Sequence, residues 1–359
     1  MPTLHDKTHK LKLEIERLGF DTAKKSEAKL QAKAHTLKLG FDGLEFDQPK
    51  EGGVHAAGIA GGIYKDKNGK RSMVKCESDF RKNISEFLRS QFFQVLSPGS
   101  GAKVSLIAPQ PMSKKLYHEG GKIQDNGSNI YVKSDFFDHY SNDMYKDMDA
   151  YMSAKTRPSD FARKLEGSKA KGRPAFMGTR EWWSKTLTNA FKERNYQGFE
   201  QIAPVSLLIN DFDFHTGNIG VIEDPKETDP RLVRIDFAES FNNLEEAIHP
   251  HSRSKHLPLW GPTNHYLEFP NYLKNNDLFA DSVLKTAKID LSSAIPPMFQ
   301  ELARYYTQEA LAQWAQKVMP SKFGKVPITQ ITIQDIQTRF TEIMQKSRSL
   351  WKNTECKLN

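Results

Sequence analysis

One polar loop, set between an apolar helix end and an apolar strand, constrains this chain more than any other feature. It lies in residues 207–221, which read LLINDFDFHTGNIGV, and a second strand ending in Ile235-Asp236-Phe237 follows. A hairpin of these strands would bring carboxylate and carboxamide oxygens together, as Mg²⁺ or Mn²⁺ bridging nucleotide phosphates requires. A third acidic group, free of the metal, can orient a hydroxyl nucleophile and take its proton.

A small sheet with one helix is predicted upstream of this loop. Five glycines fall in residues 52–62, and two short apolar runs follow on either side of Asn68-Gly69, a strong hairpin signal. Lys75 ends the second run. The pattern of residues 83–96 predicts an amphipathic helix stopped by Pro98-Gly99, and further strands are expected at 103–108 and 129–133.

The second half of the chain reads as mainly helical. Helical periodicity is found in residues 182–191, 198–209, 281–318 and 332–351. Before it, residues 136–185 are strongly polar, and between Lys155 and Lys185 nine Lys or Arg stand against three Asp or Glu. We interpret that segment as a basic insertion.

The loop and the strand after it resemble the protein kinase superfamily, in its remote, atypical branch. Asp213-x-His215-x-x-Asn218 is similar to the catalytic loop of aminoglycoside-type and phosphoinositide-type kinases, and Ile235-Asp236-Phe237 is similar to the metal-binding Asp-Phe-Gly element. The resemblance implies that Asp213 is the catalytic base and that Asn218 and Asp236 bind the metal. His215 would order the loop or face the phosphates.

The same resemblance assigns roles in the upstream sheet. Lys75 would grip the α- and β-phosphates of ATP, and Glu86, on the following helix, would pair with it. Glu77, two residues beyond Lys75, is an acidic competitor for that pairing. The other residues expected at the nucleotide are Gly58, Gly61 and Gly62 of a phosphate-covering loop and Asp135 at the hinge.

Four departures from the standard kinase motifs stand out. The glycines do not spell G-x-G-x-x-G, Asp211 replaces the His of the catalytic loop, Phe212 replaces its Arg, and Ala238 replaces the Gly after Asp-Phe. Without that Arg the usual docking point for a phosphorylated activation loop is missing, so control by that route is not expected.

The expected fold class is therefore α+β, a bilobal protein-kinase-like fold with a small β-rich N-lobe, a mainly helical C-lobe and a basic insertion. Its expected divisions are a Lys-rich helical extension at 1–50, the N-lobe at 51–135, the insertion at 136–185, the C-lobe at 186–320 and a C-terminal helical extension at 321–359.

The basic insertion carries a separate hypothesis, because clustered Lys and Arg concentrate polyanions. It is either a solvated surface or a site for a highly phosphorylated small molecule such as an inositol polyphosphate, acting as an activator, or for the anionic head groups of a membrane surface. DNA is not expected, since no nucleic-acid reader motif occurs. The candidate residues are Arg163, Lys164, Lys169, Lys171, Arg173 and Arg180.

Composition favours a cytosolic, reducing compartment. The 359 residues include two cysteines, carry a net charge of +8, and contain neither a signal-peptide pattern nor an apolar run long enough to span a membrane. Cys76 is expected to be packed and not nucleophilic. The combination of features also resembles the secreted effector kinases of intracellular bacterial pathogens, which implies action in a host cytosol.

The predicted activity is phosphate transfer from ATP, with Mg²⁺ or Mn²⁺, to a protein Ser/Thr hydroxyl. Three alternatives stay open: a lipid head group such as a phosphoinositide or a small molecule as acceptor, transfer of AMP on the same fold, and an inactive kinase-like module that binds polyanions or membranes. The sequence does not indicate an oligomeric state.

Overall fold

The chain has a mixed α/β structure that divides into two compact units, described separately below. Unit 1 runs to Asn83 and includes 105–135, and unit 2 comprises 84–104 and 136–359. The computed structural model describes residues 41–49, 61–77, 79–108, 130–155, 193–209, 211, 214, 216–237, 244–245 and 277–353.

Unit 1 is built on a five-stranded sheet in the order β1-β2-β3-β5-β4. The pairs β1/β2, β2/β3 and β3/β5 are antiparallel. The strands are β1 (Leu44–Gln48), β2 (Gly62–Asp66), β3 (Arg71–Lys75), β4 (Val104–Ile107) and β5 (Tyr131–Asp135).

The predicted hairpin at Asn68-Gly69 is confirmed as the β2/β3 turn. Asp66 Oδ1 accepts the backbone N–H groups of Asn68 at 2.8 Å and Lys70 at 2.9 Å. Gly69 has a φ of +78°, in the left-handed region where a residue without Cβ is favoured. The turn fixes the register that ends β3 on Lys75.

Aromatic residues form the core of unit 1. The Phe41 ring meets Tyr64 and Tyr131 edge to face, with centroids 5.3 and 5.1 Å apart, and Val74 completes the cluster. Residues 41–48 were expected to belong to the helical extension at 1–50, but they supply Phe41 and strand β1. The alternation of apolar and polar residues in LEFDQ covers only five positions. It is too short to indicate a strand directly after a Lys-rich stretch with helical character.

Unit 2 contains a three-stranded antiparallel sheet in the order β6-β7-β8. Its strands are β6 (Tyr140–Asp143), β7 (Ile219–Ile222) and β8 (Arg231–Arg234). The central strand β7 is buried at all four positions. The hairpin predicted to follow the polar loop is therefore present, and Ile219 of β7 lies opposite Arg234 of β8.

Helices make up most of unit 2 among the described residues. They are α1 (Phe80–Leu96, whose first residues belong to unit 1), α2 (Met144–Lys155), α3 (Phe199–Leu208), α4 (Asp277–Lys288), α5 (Ile295–Tyr305), α6 (Gln308–Val318), α7 (Pro320–Phe323) and α8 (Ile333–Asn353). The stretch predicted as helical over 281–318 is thus three helices, and the helix predicted at 182–191 lies outside the described residues.

The helical core of unit 2 depends on α8. Phe340 stacks on Phe92 of α1 with centroids 5.7 Å apart and meets Phe299 of α5 edge to face at 5.5 Å. Ser347 Oγ donates to the Leu208 carbonyl at the end of α3 over 3.1 Å. Helix α8, which lies in the range 321–359 expected to be an extension, therefore contributes to the core of this unit.

Residues 136–155, expected to begin the basic insertion, belong to unit 2. They include β6, which is hydrogen-bonded to β7, and α2. In the part of the chain that the structure describes, no helix is both long and apolar enough to cross a membrane.

Candidate functional site

The polar loop after α3 begins with a fully buried carboxylate, Asp211. Its Oδ1 accepts from Arg89 Nη1 at 2.7 Å and its Oδ2 accepts from Arg234 Nε at 2.9 Å, and none of the three side chains is exposed to solvent. The Asp211 backbone N–H donates to the Ser206 carbonyl of α3 over 2.8 Å. We call these three residues the Arg89–Asp211–Arg234 cluster.

Arg234 extends the cluster to the hairpin. Its Nη1 donates to the Asn218 carbonyl at 2.7 Å and also to the carbonyl of Ile235. Its guanidinium carbon lies 5.1 Å from the ring centroid of Phe237 and 5.9 Å from that of Phe214, within the range of cation–π attraction. One side chain thus contacts the polar loop, the start of β7 and the residues after β8.

Asn218 and Asp236, the predicted metal ligands, lie at the same end of the β7/β8 hairpin. The Ile235 backbone N–H donates to the Asn218 carbonyl at 2.9 Å and so extends the ladder beyond β8. Asn218 is buried in a single 3₁₀ turn, Thr216–Asn218, and Asp236 is half-buried. Their oxygens are of the type that Mg²⁺ and Mn²⁺ prefer, so the two residues suit such an ion.

Asp236 has an unusual backbone. Its φ is +54°, in the left-handed region that costs an L-residue free energy. Such conformations persist only where the surroundings fix them, and they concentrate at functional sites. The strained residue is the one that the sequence resemblance assigns to metal binding.

Asp213 and His215, the predicted base and loop-ordering residue, lie outside the described residues. The residues that alternate with them are buried. Phe214 is 1% exposed and packs on Phe199 of α3 with centroids 5.8 Å apart, and Thr216 is 2% exposed. The loop is therefore anchored at Asp211, Phe214 and Thr216.

Lys75 ends β3 inside unit 1. It is 4% exposed, and its Nζ lies 3.7 Å from Oε1 of Glu77, which is equally buried. Asn83 orders this acid, because its Oδ1 accepts the Glu77 backbone N–H at 3.1 Å while its Nδ2 donates to the Ile130 carbonyl at 3.0 Å. Glu86 is buried on α1 and belongs to unit 2, and its pairing with Lys75 stays a prediction.

Asp135, predicted at the hinge, is held by its own sheet. It accepts from Ser72 Oγ at 3.0 Å and is paired with Lys133 at 2.9 Å and Lys70 at 3.4 Å. Burial raises the pKa of the Asp135 carboxyl, but Lys133, Ser72 and Lys70 together outweigh burial and lower it. Asp135 is thus an ionised group at the end of β5, and its contact with a nucleotide stays a prediction.

The glycines predicted to cover the phosphates are described in part. Gly62 opens β2, and a Cβ there would lie 2.6 Å from the Phe46 ring and 3.0 Å from the Gln48 carbonyl of β1. Its lack of a side chain therefore has a packing reason in unit 1. Gly61 precedes it and is buried, whereas Gly58 lies outside the described residues.

The six basic residues predicted to bind a polyanion lie outside the described residues, in the range 156–192. The structure does describe what flanks that range. Asp147 of α2 accepts from the Tyr196 hydroxyl and from Arg194 Nη2 at 2.6 Å. The two flanks are therefore joined by a mostly buried ionic contact.

The residues that sequence reasoning missed are Arg89 and Arg234. Each interrupts an apolar pattern, Arg89 on the buried face of α1 and Arg234 between Val233 and Ile235. An arginine flanked by buried positions is a signal, since isolated charges are rarely buried without a partner. In the sequence, Asp211 was noted only as a departure from the kinase motif. In the structure it lies between Arg89 and Arg234, at the centre of a charge cluster.

No group of three or more His, Cys, Asp or Glu side chains converges as a metal site within the described ranges. The described part of the candidate site consists of Asn218 and Asp236 together with Asp211, Phe214 and Thr216 of the loop. The cluster around Asp211 fixes the frame of that site.

No curated protein matches the chain. Among solved structures, the N-terminal 618-residue fragment of LepB from Legionella pneumophila is similar at 12% identity and a TM-score of 0.44, over 82% of this chain and 46% of the fragment. The chain thus spans less than half of that fragment.

The Helicobacter pylori proinflammatory kinase CtkA is similar at 13% identity and a TM-score of 0.39, over 88% of this chain and 99% of CtkA. The family described as the LepB N-terminal domain matches residues 106–355, which include the polar loop, the β7/β8 hairpin and all of the helices from α2 to α8. This chain belongs to the LepB N-terminal domain family.

Proposed function

We propose that this chain is an ATP-dependent phosphotransferase, an atypical protein kinase whose acceptor is a Ser/Thr hydroxyl. The observation that carries the proposal is the strained backbone of Asp236, held at the end of the β7/β8 hairpin beside Asn218. The sequence motif and the local geometry support the same two residues.

In this proposal Asn218 and Asp236 hold Mg²⁺ or Mn²⁺. The ion, when bound, neutralises charge on the β- and γ-phosphates of ATP. Asp213 accepts the proton of the acceptor hydroxyl. The acceptor oxygen then forms a bond to the γ-phosphorus, the bond to the β,γ-bridging oxygen breaks, and ADP leaves with that oxygen.

Lys75 supplies positive charge to the nucleotide phosphates. Its Nζ lies 3.7 Å from Oε1 of the buried Glu77 carboxylate, and this ion pair limits the rotamers of the lysine. A buried, oriented cation stabilises phosphate charge more strongly than an exposed one, because less solvent screens it. Glu86 is a further proposed acidic partner of Lys75.

Location and control are further parts of the proposal. The resemblance to bacterial effector kinases supports action in a host cytosol. The density of positive charge between residues 163 and 180 supports activation by a polyanion such as an inositol polyphosphate.

The test is label transfer by the 359-residue chain from γ-labelled and, in parallel, α-labelled ATP. Acceptors are a generic basic protein, vesicles containing phosphoinositides, and the chain itself, with Mn²⁺ or Mg²⁺ and with or without inositol hexakisphosphate. Transfer of γ-label to protein supports the proposal, whereas γ-label on lipid alone replaces the protein acceptor. Transfer of α-label indicates AMP transfer, and no transfer under any condition contradicts the proposal.

A further inference from the structure

Burying the three charges of the Arg89–Asp211–Arg234 cluster costs desolvation free energy, so the cluster is an inefficient way to stabilise a fold. Two positive charges and one negative charge lie together with no solvent exposure. Taking charges out of water carries a penalty that their attraction often fails to recover, and apolar side chains of similar size are commonly as stabilising. We therefore looked for groups that the cluster holds in position.

The contacts of Arg234 show what is positioned. Its Nη1 donates to the carbonyls of Asn218 and Ile235. The first carbonyl belongs to a proposed metal ligand. The second belongs to the peptide that joins Ile235 to Asp236, so the bond restrains the peptide plane on which the φ of Asp236 depends.

The strained φ of Asp236 needs such a restraint. A left-handed conformation costs roughly 1–2 kcal/mol for an ordinary L-residue and is kept only where neighbouring bonds determine it. Here the Ile235 N–H donates to the Asn218 carbonyl, and the Ile235 carbonyl accepts from Arg234. Both polar groups of Ile235 are thus used immediately before Asp236.

Asp211 in turn orients Arg234. A planar guanidinium offers donors in a fixed fork, so a carboxylate on Nε sets the direction in which Nη1 points. Arg89 donates to the other oxygen of the same carboxylate from α1. The order of support runs from α1 through Asp211 to Arg234 and then to the two carbonyls.

We propose that Arg234 is a positioning residue that holds Asn218 and Asp236 in their metal-binding arrangement, with Asp211 fixing its orientation. This inference rests on the proposed function, because it concerns the ion that the phosphotransferase would use. Arg234 itself contacts neither the ion nor the substrate in this account. It acts through the backbone of the two ligands.

The chain provides a matched control in Arg89. Arg234→Met and Arg89→Met each remove one buried arginine and leave Asp211 with one arginine partner. Only Arg234→Met removes the donor to the Asn218 and Ile235 carbonyls, whereas Arg89→Met leaves that donor in place. A purely structural role predicts equal effects of the two variants at equal stability.

The experiment measures how strongly the 359-residue chain binds Mn²⁺ in the presence of AMP-PNP, a non-hydrolysable ATP analogue. The electron paramagnetic resonance signal of free Mn²⁺ is the readout. Guanidinium unfolding of each variant is recorded alongside. We expect Arg234→Met to weaken Mn²⁺ binding at least about tenfold, as loss of a residue that orients metal ligands does, and Arg89→Met to change it less than about threefold.

Equal weakening in the two variants, or none in Arg234→Met, would overturn the inference. If Arg234→Met does not fold, Arg234→Lys keeps the positive charge for Asp211 but lacks the planar fork, and it should still weaken Mn²⁺ binding several-fold. If the wild-type protein binds no Mn²⁺ with AMP-PNP, the proposed function itself fails, which separates that result from failure of the positioning role.

Discussion

Arg234 Nε donates to Asp211 Oδ2 over 2.9 Å, and neither side chain is exposed. The bond joins Asp211, in the polar loop, to Arg234, 23 positions later in the chain, at the end of the strand that leads to Asp236. Through it the two sequence motifs are held in one frame within unit 2.

Replacing Asp211 by Asn should destabilise the protein by about 3–5 kcal/mol, because two buried arginines would then lack their anionic partner. Unfolding in guanidinium, followed by circular dichroism, measures the change. Asp290→Asn is the control, since that carboxylate is 70% exposed and lies 3.6 Å from Arg348. A surface pair of this kind contributes at most about 1 kcal/mol. Equal effects of the two substitutions would contradict a buried charge cluster at Asp211.

Replacing the whole cluster gives a different expectation. The triple substitution Asp211→Leu, Arg89→Met, Arg234→Met removes all three buried charges, so most of the stability lost in Asp211→Asn should return. Phosphate transfer should not return, because the Arg234 guanidinium that donates to the carbonyls of Asn218 and Ile235 is still missing. Thermal unfolding and label transfer on the same samples check both statements. A fully active triple variant would contradict the positioning role.

Asp236→Gly should be more stable than Asp236→Ala by about 1 kcal/mol. Both remove the carboxylate, but glycine adopts a φ of +54° without the steric penalty that alanine meets. Both variants should lose phosphate transfer at least about a hundredfold, because the metal ligand is absent. Paired denaturant titrations compare the two. Higher stability of the alanine variant would contradict the left-handed backbone.

Glu245 provides a pH-dependent contribution to stability. It accepts from the Ser321 backbone N–H at 2.7 Å, from the Ser321 hydroxyl and from Arg339 Nη2 at 2.9 Å. Burial raises the pKa of the Glu245 carboxyl, but the bonds from Ser321 and Arg339 outweigh burial and lower it below its ordinary value of 4.5. The unfolded chain then binds the proton more readily than the folded one.

The stability from Glu245 is therefore present in full above about pH 4.5 and is lost as the pH falls through the lower, folded-state pKa. Glu245→Gln should be less stable than wild type by about 1–3 kcal/mol at pH 7, and the difference should shrink in acid. Urea midpoints between pH 3 and 7 measure it. Glu342 is the second acidic partner of Arg339, and its side chain is 57% exposed. The free energy of unfolding of Glu342→Gln should therefore stay within about 1 kcal/mol of that of the wild type. A gap for Glu245→Gln that does not change with pH would contradict the assignment.

Cys76 should be a poor nucleophile. Burial raises the pKa of its thiol to about 11, so little thiolate exists at neutral pH. In a Cys356→Ser background, iodoacetamide should alkylate the native protein at pH 7.5 on the order of a hundredfold more slowly than the unfolded chain. Comparable rates in the two states would show that Cys76 is accessible and ionised.

The sequence was sufficient for features that depend on local chemistry. The turn at Asn68-Gly69, the helix ending before Pro98 and the strand after Asn218 were each predicted and are present. Their signals are short-range: a turn that favours positive φ, an apolar helical face, and a run of branched residues.

Features that depend on long-range contacts could not be predicted. Arg89 and Asp211 are 122 positions apart, and nothing in either segment indicates that they meet. Strand β1 is too short to show its alternation beside a Lys-rich stretch. The C-terminal α8 looks like an independent amphipathic helix until Phe340 is seen packed on Phe92 and Phe299.

The most direct measurement is the initial rate of γ-phosphate transfer by the 359-residue chain, with Mn²⁺ and a basic protein acceptor, for wild type, Asp236→Asn and Cys76→Ala. Asn tolerates a left-handed backbone but removes the anionic metal ligand, so the account predicts a loss of at least about a hundredfold with the fold intact. Cys76→Ala should retain the wild-type rate within about threefold, since its thiol is not ionised. Wild-type transfer that persists in Asp236→Asn would contradict the assigned site, and absence of transfer in the wild-type protein with every acceptor would contradict the proposed function.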